Sequence, residues 1–222
     1  LDKINDELER RINDGRNDHL LRLATKLADL KPLCETAIQR LIEHDMWYSI
    51  ASWAIHYNAT LPELVDHGIW FEQGRHLFIE GDVQPVSYGL GRAAPKGDQQ
   101  SIALLTGANS GGKTTLLELV AHIAILAHMG LPVPAQHAEV GRVEALHVLA
   151  KSGGTQSAGA LETTLVDLAN VVSNAQPKLI LADELEAITE PGAGARIIAG
   201  MLRAAQQQSN SSMVLVTHLA PA

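Results

Sequence analysis

Apolar residues recur along this chain in two different rhythms. Over residues 1–58 the rhythm is helical. Ile4, Leu8 and Ile12 share one face at a spacing of four, and Leu20, Leu23, Leu27 and Leu30 repeat at three, four and three, the pattern of a helix packed along another helix. Pro32 follows. Proline removes a backbone donor and restricts the residue before it, so a break is predicted at Lys31-Pro32. A second helix is expected beyond it, with Leu33, Ala37, Leu41, Tyr48, Ala51 and Ile55 on one stripe. Two long antiparallel helices are the expected arrangement, because no third long helical pattern comes next. Ten acidic and eight basic residues nearly cancel across residues 1–60, as on solvated helix faces.

Residues 59–100 change character. Glycine and proline interrupt short mixed runs, as in Gly74-Arg75-His76 and Val83-Gln84-Pro85-Val86, which predicts short strands and loops. Gly89-Leu90-Gly91 followed by Ala94 loosely resembles a dinucleotide fingerprint. It lacks a strong strand before it, and Pro95 prevents a clean helix after it, so a loop is expected. From Ser101 the two rhythms alternate. Strands are predicted at Ile102–Thr106, Val143–Ala150, Leu179–Ala182 and Met213–Val216. Helices are predicted at Lys113–Met129, Gly159–Asn174 and Gly194–Gln207. Such alternation predicts an α/β fold, a mostly parallel sheet flanked by helices. The expected division is a helical segment over residues 1–60 and an α/β domain over residues 61–222.

Composition changes this picture only at the margins. The 222 residues are 46% hydrophobic and 19% charged, a globular balance with enough length for one or two domains. Aromatics make up 4%, so aliphatic side chains must build the core. A single cysteine, Cys34, excludes an internal disulfide framework or a cysteine zinc cluster and suits a cytoplasmic location. The net charge of −8 argues against a whole-molecule electrostatic grip on nucleic acid. Arg10, Arg11, Arg16 and Arg22 are the candidates for nucleic-acid contact, but they alternate with acids, as on an ordinary solvated surface. The most apolar stretch, Leu116–Leu131, is interrupted by Glu118, His122 and His128, so no membrane span is expected. The chain opens inside a helical pattern and stops just after a predicted strand, and is expected to be a fragment of something longer.

The chemistry is concentrated in Gly107-Ala108-Asn109-Ser110-Gly111-Gly112-Lys113-Thr114, which fills the pattern of glycine, four residues, Gly-Lys-Ser/Thr. Glycines let the backbone curl so that successive N–H groups point at phosphate oxygens. The helix that follows offers its N-terminus to the same anion. Lys113 can bridge the β- and γ-phosphates of ATP, and the Thr114 hydroxyl can ligate Mg²⁺. The second element is Leu179-Ile180-Leu181-Ala182-Asp183-Glu184, an apolar strand ending in two carboxylates. Asp183 is the candidate Mg²⁺ ligand and Glu184 the candidate general base for an attacking water. The third is Thr217-His218 at the end of the last strand, where His218 can sense or stabilise the γ-phosphate.

These residues resemble the MutS family of ATPases. The loop at 107–114 is similar to that family's Gly-Pro-Asn-x-Gly-Gly-Lys-Ser/Thr. Gly74-Arg75-His76 resembles its Gly-Arg-His, Val133-Pro134-Ala135-Gln136 its Val-Pro-Ala run, and Asp183-Glu184 with Thr217-His218 its magnesium carboxylates and Thr-His strand end. The match spans residues 68–222, and the helical segment before it resembles the family's lever helices. The resemblance implies ATP and Mg²⁺ as cofactors, with residues 107–114 and Thr115 holding nucleotide and Asn109 touching the γ-phosphate. It also implies a homodimer with composite sites, DNA as partner and no membrane. Val86 stands near the family's adenine-facing position, with a core or loop role equally open. Two departures stand out. The family's trans-acting Ser-Thr-Phe is missing at Gly159-Ala160-Leu161, with Ser157 as the candidate hydroxyl, and Leu185–Glu190 replaces Gly-Arg-Gly-Thr-Ser. Both point to a branch resembling the archaeal MutS-related proteins, which implies DNA binding without mismatch selectivity.

Two alternatives stay open. An ATPase of the transporter or chromosome-maintenance type shares the loop asparagine and the switch histidine, and Ser152-Gly153-Gly154-Thr155-Gln156 echoes its signature loop. Against it, residue 111 is glycine, and the 70 residues from Lys113 to Asp183 leave no room for that class's helical insertion. The other is a binding module that holds nucleotide without hydrolysis, against which stands the second carboxylate, Glu184.

Overall fold

The computed structural model describes residues 2–81, 83–91, 100–107, 112–149, 169–172, 174–184, 191–207 and 211–217. Helical periodicity in the first part is realised as one helix, α1 (Asp2–His56), with Pro32 inside it. The expected pair of antiparallel helices is therefore corrected to a single continuous one. The physical reason lies in proline itself, whose locked φ of about −65° is already helical. It removes one donor but leaves the path of the chain intact. Around it, Thr36 Oγ1 donates to the Pro32 carbonyl at 2.8 Å, and Lys31 pairs with Glu35 one turn on. Leu20, Leu23, Leu27 and Leu30, read as a packing seam, are all exposed.

Two compact units divide the chain, residues 1–52 and residues 53–222. The last turn of α1 belongs to the second, which holds every other element. It contains two four-stranded sheets. The first is built from β1 (Glu63–Val65), β2 (Ile69–Gly74), β3 (Val86–Leu90) and β5 (His137–Gly141), in the order β1-β5-β2-β3. It is mixed: β1 pairs parallel with β5, while β2 runs antiparallel to both β3 and β5. The second is built from β4 (Ile102–Leu105), β6 (Ala145–Leu149), β7 (Lys178–Asp183) and β8 (Ser211–Val216), in the order β4-β8-β7-β6. It is parallel throughout. Its central strands are apolar runs buried on both faces, as parallel sheets require.

Helices supply both covers. From α2 (Lys113–His128), Leu117, Val120, Ala121, Ile123 and Ala124 pack with Ile69, Phe71 and Val140 of the mixed sheet and with Leu179, Leu181, Val214 and Val216 of the parallel sheet. This helix is thus sandwiched between the sheets. The other face of the parallel sheet (Ile180, Ala182, Met213, Leu215) packs on Ile198, Met201 and Ala205 of α3 (Pro191–Gln206) and on Val172 from the helical residues 169–172. Of the predicted helix at 159–174, residues 169–172 are helical and Asn174 is not, while 159–168 and 173 lie outside the described residues.

Two sequence readings change here. Gly89-Leu90, expected as loop, closes β3, because its partners Trp70 and Ile69 in β2 supply the ladder that the local sequence lacks. Gly91 follows at φ 75°, and a Cβ there would meet the Gly68 backbone at 2.9 Å. Strand β5 had no sequence reading at all, since its five residues carry only a short alternation of Ala138 and Val140. Its end, Gly141, donates its N–H to the Gly68 carbonyl at 2.6 Å.

A Cβ on Gly141 would fall 2.6–2.8 Å from the backbone of Gly68 and His67. Gly141→Ala is therefore expected to destabilise the fold by about 1–3 kcal/mol, read as a lowered denaturation midpoint at unchanged slope. A second expectation concerns His122 on α2. Its Nδ1 is buried with no partner among the described residues. Burial first, then neighbouring His76, push its pKa below the usual 6.5, with Glu118 opposing. The unfolded chain binds a proton here that the fold resists, so this residue's contribution is complete above about pH 6.5 and is lost as pH falls through the lower folded value. Thermal melts at neutral and at mildly acidic pH should show a smaller acid-induced drop in Tm for His122→Leu than for the parent chain.

Candidate active site

All three parallel strands that carry candidate residues end on the same side. Leu105 of β4 and Asp183 of β7 are both in register with Val216 of the strand between them. Parallel pairing therefore delivers Gly107, Asp183-Glu184 and Thr217 to one edge of the sheet, where ligands bind in open α/β folds.

The start of α2 is shaped by backbone conformation. Gly112 is its N-cap with φ 71° and no side-chain cap bond, so among the described residues no cap side chain competes for the first helical N–H groups, which attract anions. Gly107 has φ 145° with open space where a Cβ would be. Both conformations favour glycine. Lys113 Nζ donates to the Gly107 carbonyl at 2.8 Å, strapping the two ends of the loop together. Ala108, Asn109, Ser110 and Gly111 lie outside the described residues. Thr115, the next helical residue, is half-buried.

One bond joins the two motifs. Thr114 Oγ1 donates to Asp183 Oδ2 at 2.9 Å, across 69 residues of sequence. The other carboxylate oxygen, Oδ1, is buried and has no partner among the described residues. A hydroxyl beside a carboxylate with an unclaimed oxygen is a hard-oxygen donor set of the kind Mg²⁺ takes, so these residues fit that ion. Glu184 follows at φ 48°, a left-handed conformation unusual for a non-glycine residue, with its N–H donating to the Val216 carbonyl at 3.1 Å. Strain of this kind gathers at functional sites. Thr217 is buried and donates its N–H to the Leu105 carbonyl at 3.1 Å, which ties the end of β8 to the strand leading into the loop. His218 lies outside the described residues, as do Ser157, Gly159–Leu161 and Leu185–Glu190. Val86 opens β3 and is exposed.

Two sequence motifs far apart in the chain meet in space. The N–H of Arg75 donates to the Pro134 carbonyl at 2.8 Å, and that of Gln136 to the Glu72 carbonyl at 2.9 Å. Gly-Arg-His and Val-Pro-Ala-Gln are thus one backbone junction. What sequence reasoning missed is the partner of His76. This buried imidazole lies 3.0 Å through Nε2 from Oε2 of Glu118 on α2, and a separation of 42 positions hides the pairing from any local pattern. A separate, partly open cavity of about 180 Å³ lies among Ser101, Ser212, His128 and Arg142. Those residues stand at the opposite ends of the parallel strands from the Thr114–Asp183 pair.

Comparison with known proteins agrees with the motifs. A family model described as MutS domain V matches residues 103–221. The chain is 47% identical over 163 residues to DNA-binding protein MutS2 of Pyrococcus furiosus, an overlap of 72% of this chain and 29% of that protein. It is 26% identical over 213 residues to Endonuclease MutS2 of Caldicellulosiruptor bescii, covering 90% of this chain and 25% of the relative. To the DNA mismatch repair protein MutS of Ehrlichia chaffeensis it is 28% identical over 204 residues, covering 89% and 24%. The chain therefore spans less than a third of the length of each of these relatives. With a family model covering more than half of its residues, this chain belongs to the MutS family.

Proposed function

We propose that this chain is the ATP-binding and ATP-hydrolysing part of a DNA-binding MutS-family protein. Residues 61–222 form a P-loop ATPase domain and residues 1–60 a helical lever. The observation that carries the reading is the 2.9 Å bond between Thr114 and Asp183, which unites the phosphate-loop motif and the strand-end carboxylates at one point.

On this reading the backbone N–H groups of 107–115 and the start of α2 receive the phosphates of ATP. Lys113 exchanges its Gly107 carbonyl partner for phosphate oxygens. Thr114 and Asp183 would hold Mg²⁺, which supplies charge neutralisation at the β- and γ-phosphates. The Glu184 carboxylate orients a water and accepts its proton as the water oxygen attacks the γ-phosphorus. The bond to the β–γ bridging oxygen breaks and ADP leaves. Asn109 and His218 contact the γ-phosphate. Positioning and electrostatics account for most of the rate in such reactions.

The same reading extends to assembly. A second copy completes each site through the segment near Gly159, where the sequence predicts a helix to begin, so ATP favours a closed homodimer because its phosphate touches both subunits. Hydrolysis removes that contact, and the switch is passed to a clamp on DNA that does not select mismatches. DNA-binding and DNA mismatch repair appear in the names of relatives, which supports DNA as the partner. No helix among the described residues is long and apolar enough to cross a membrane. The exposed thiol of Cys34 suits the reducing cytoplasm.

Two substitutions test the reading. Lys113→Ala is expected to abolish ATP binding, measured by calorimetry, while its melting curve matches the parent; loss of fold would mark a structural lysine instead. Glu184→Gln should keep ATP binding and lower steady-state hydrolysis by about 10²–10⁴-fold. Undiminished turnover would remove Glu184 from the mechanism, and tight binding with no turnover in the parent chain would make this a binding module.

A further inference from the structure

Helix α2 bears the phosphate-loop residues at its start and a second contact one turn later. Glu118, four residues after Thr114, faces His76 from the segment after β2, with Nε2 and Oε2 3.0 Å apart. The other ring nitrogen, Nδ1, accepts the Phe78 N–H at 3.2 Å. A nitrogen that accepts carries no proton, so the ring's N–H is on Nε2 and donates to the carboxylate. His122, one turn further along α2, sits 5.0 Å from the His76 ring and 5.0 Å from the Phe78 ring, centroid to centroid and edge-on to both. The imidazole of His76 is nearly buried, whereas the Glu118 carboxylate is half exposed. The carboxylate can therefore leave for water without a charge being stranded, and the bond is one that can be made and broken.

The segment holding His76 also faces the end of α1. Arg75, Leu77 and Glu80 line an open cleft with His56, Tyr57 and Asn58, all within the second unit. The backbone around Val133 ties both together. Thr60 exchanges N–H···O bonds with Val133 at 3.0 and 2.8 Å, and Arg75 N–H donates to the Pro134 carbonyl. Lys113 and Thr114 thus connect through α2 to Glu118, then to His76, Arg75, Pro134, Val133 and finally Thr60, just past α1. Coupling between distant sites needs a contiguous physical network of this kind with an element that has two arrangements.

We infer that Glu118 and His76 are positioning residues that report the state of the phosphate loop to the end of α1 through their mutual hydrogen bond. The inference rests on the proposed ATP site and adds to it a route outward. Neither residue touches substrate. What they set is the seating of α2 against the segment 75–81.

Amide hydrogen exchange over residues 53–60 tests this, in the full chain with and without ATPγS and Mg²⁺. Exchange there is expected to change by at least about fivefold on nucleotide addition, within the usual range of coupling between sites. Glu118→Ala should bind ATPγS as the parent does and lose that change. Glu118→Gln, whose amide oxygen still accepts from Nε2–H, should keep it. His76→Phe, which keeps a ring in the buried slot without a donor, should behave as Glu118→Ala. The latch is overturned if Glu118→Ala keeps the change, if Glu118→Gln loses it, or if the parent binds nucleotide with no change at 53–60. In each of those cases the ATP reading stands. A parent chain that binds no ATPγS overturns both.

Discussion

A single hydrogen bond, from the Thr114 hydroxyl to the Asp183 carboxylate, is the point on which the site depends. It exists because β4, β8 and β7 lie side by side and parallel, with Leu105 and Asp183 both in register with Val216. Move one strand by one residue and its side chains change faces; Asp183 would turn away from α2. Asp183 is left with one oxygen bonded and one buried oxygen free of partners among the described residues. A buried unpaired carboxylate oxygen costs free energy. On the proposed reading that cost is offset when a cation arrives, which is a reason for the arrangement to persist in the absence of one.

Helix α2 links this site to the rest of the second unit. Its middle is clamped by aliphatic contacts between two sheets. Its end is tied as well: His128 donates through Nδ1 to the Ala124 carbonyl at 2.7 Å and accepts the Val143 N–H at Nε2 at 3.0 Å. A helix held by close-packed apolar layers transmits displacement rather than absorbing it. The polar contacts along it at Thr114, Glu118 and His128 are therefore the places where it can be steered. Two of the three partners, His76 and Val143, belong to segments that flank the mixed sheet, so that sheet still bears on the helix that carries the candidate phosphate-loop residues Lys113 and Thr114.

Helix α1 follows a different logic. Fifty-five residues form one helix whose leucines are exposed, stabilised locally by pairs such as Arg22 with Asp18 and Arg11 with Glu7. Exposed pairs of this sort are each worth only about 0.3–0.5 kcal/mol. Length and helix propensity, more than burial, keep it continuous, and the proline at 32 does not interrupt it.

Local chemistry was enough to place most of this molecule. The glycines at 107 and 112, the Lys113-Thr114 pair and the apolar strand ending in Asp183-Glu184 were legible because each motif is short and its geometry follows from backbone freedom and strand polarity. So were the long elements, since periodicity is a property of neighbouring residues. The boundaries moved by one to three residues, as at Lys178–Asp183 and Pro191–Gln206. Non-local pairing decided the rest. Strand β5 and the end of β3 are strands because β2 lies between them and completes both ladders, and no local pattern announces a partner outside its own stretch of chain. The His76–Glu118 bond is invisible for the same reason. Pro32 shows the converse: a strong local signal for a break, outweighed because a locked helical φ lets the turns on either side continue as one helix. Residue types and their spacing settled what chemistry the chain can hold; only the stacking of β4, β8 and β7 settled that its carboxylate and its hydroxyl meet, because register between distant strands is a property of the packed core and not of any stretch of sequence.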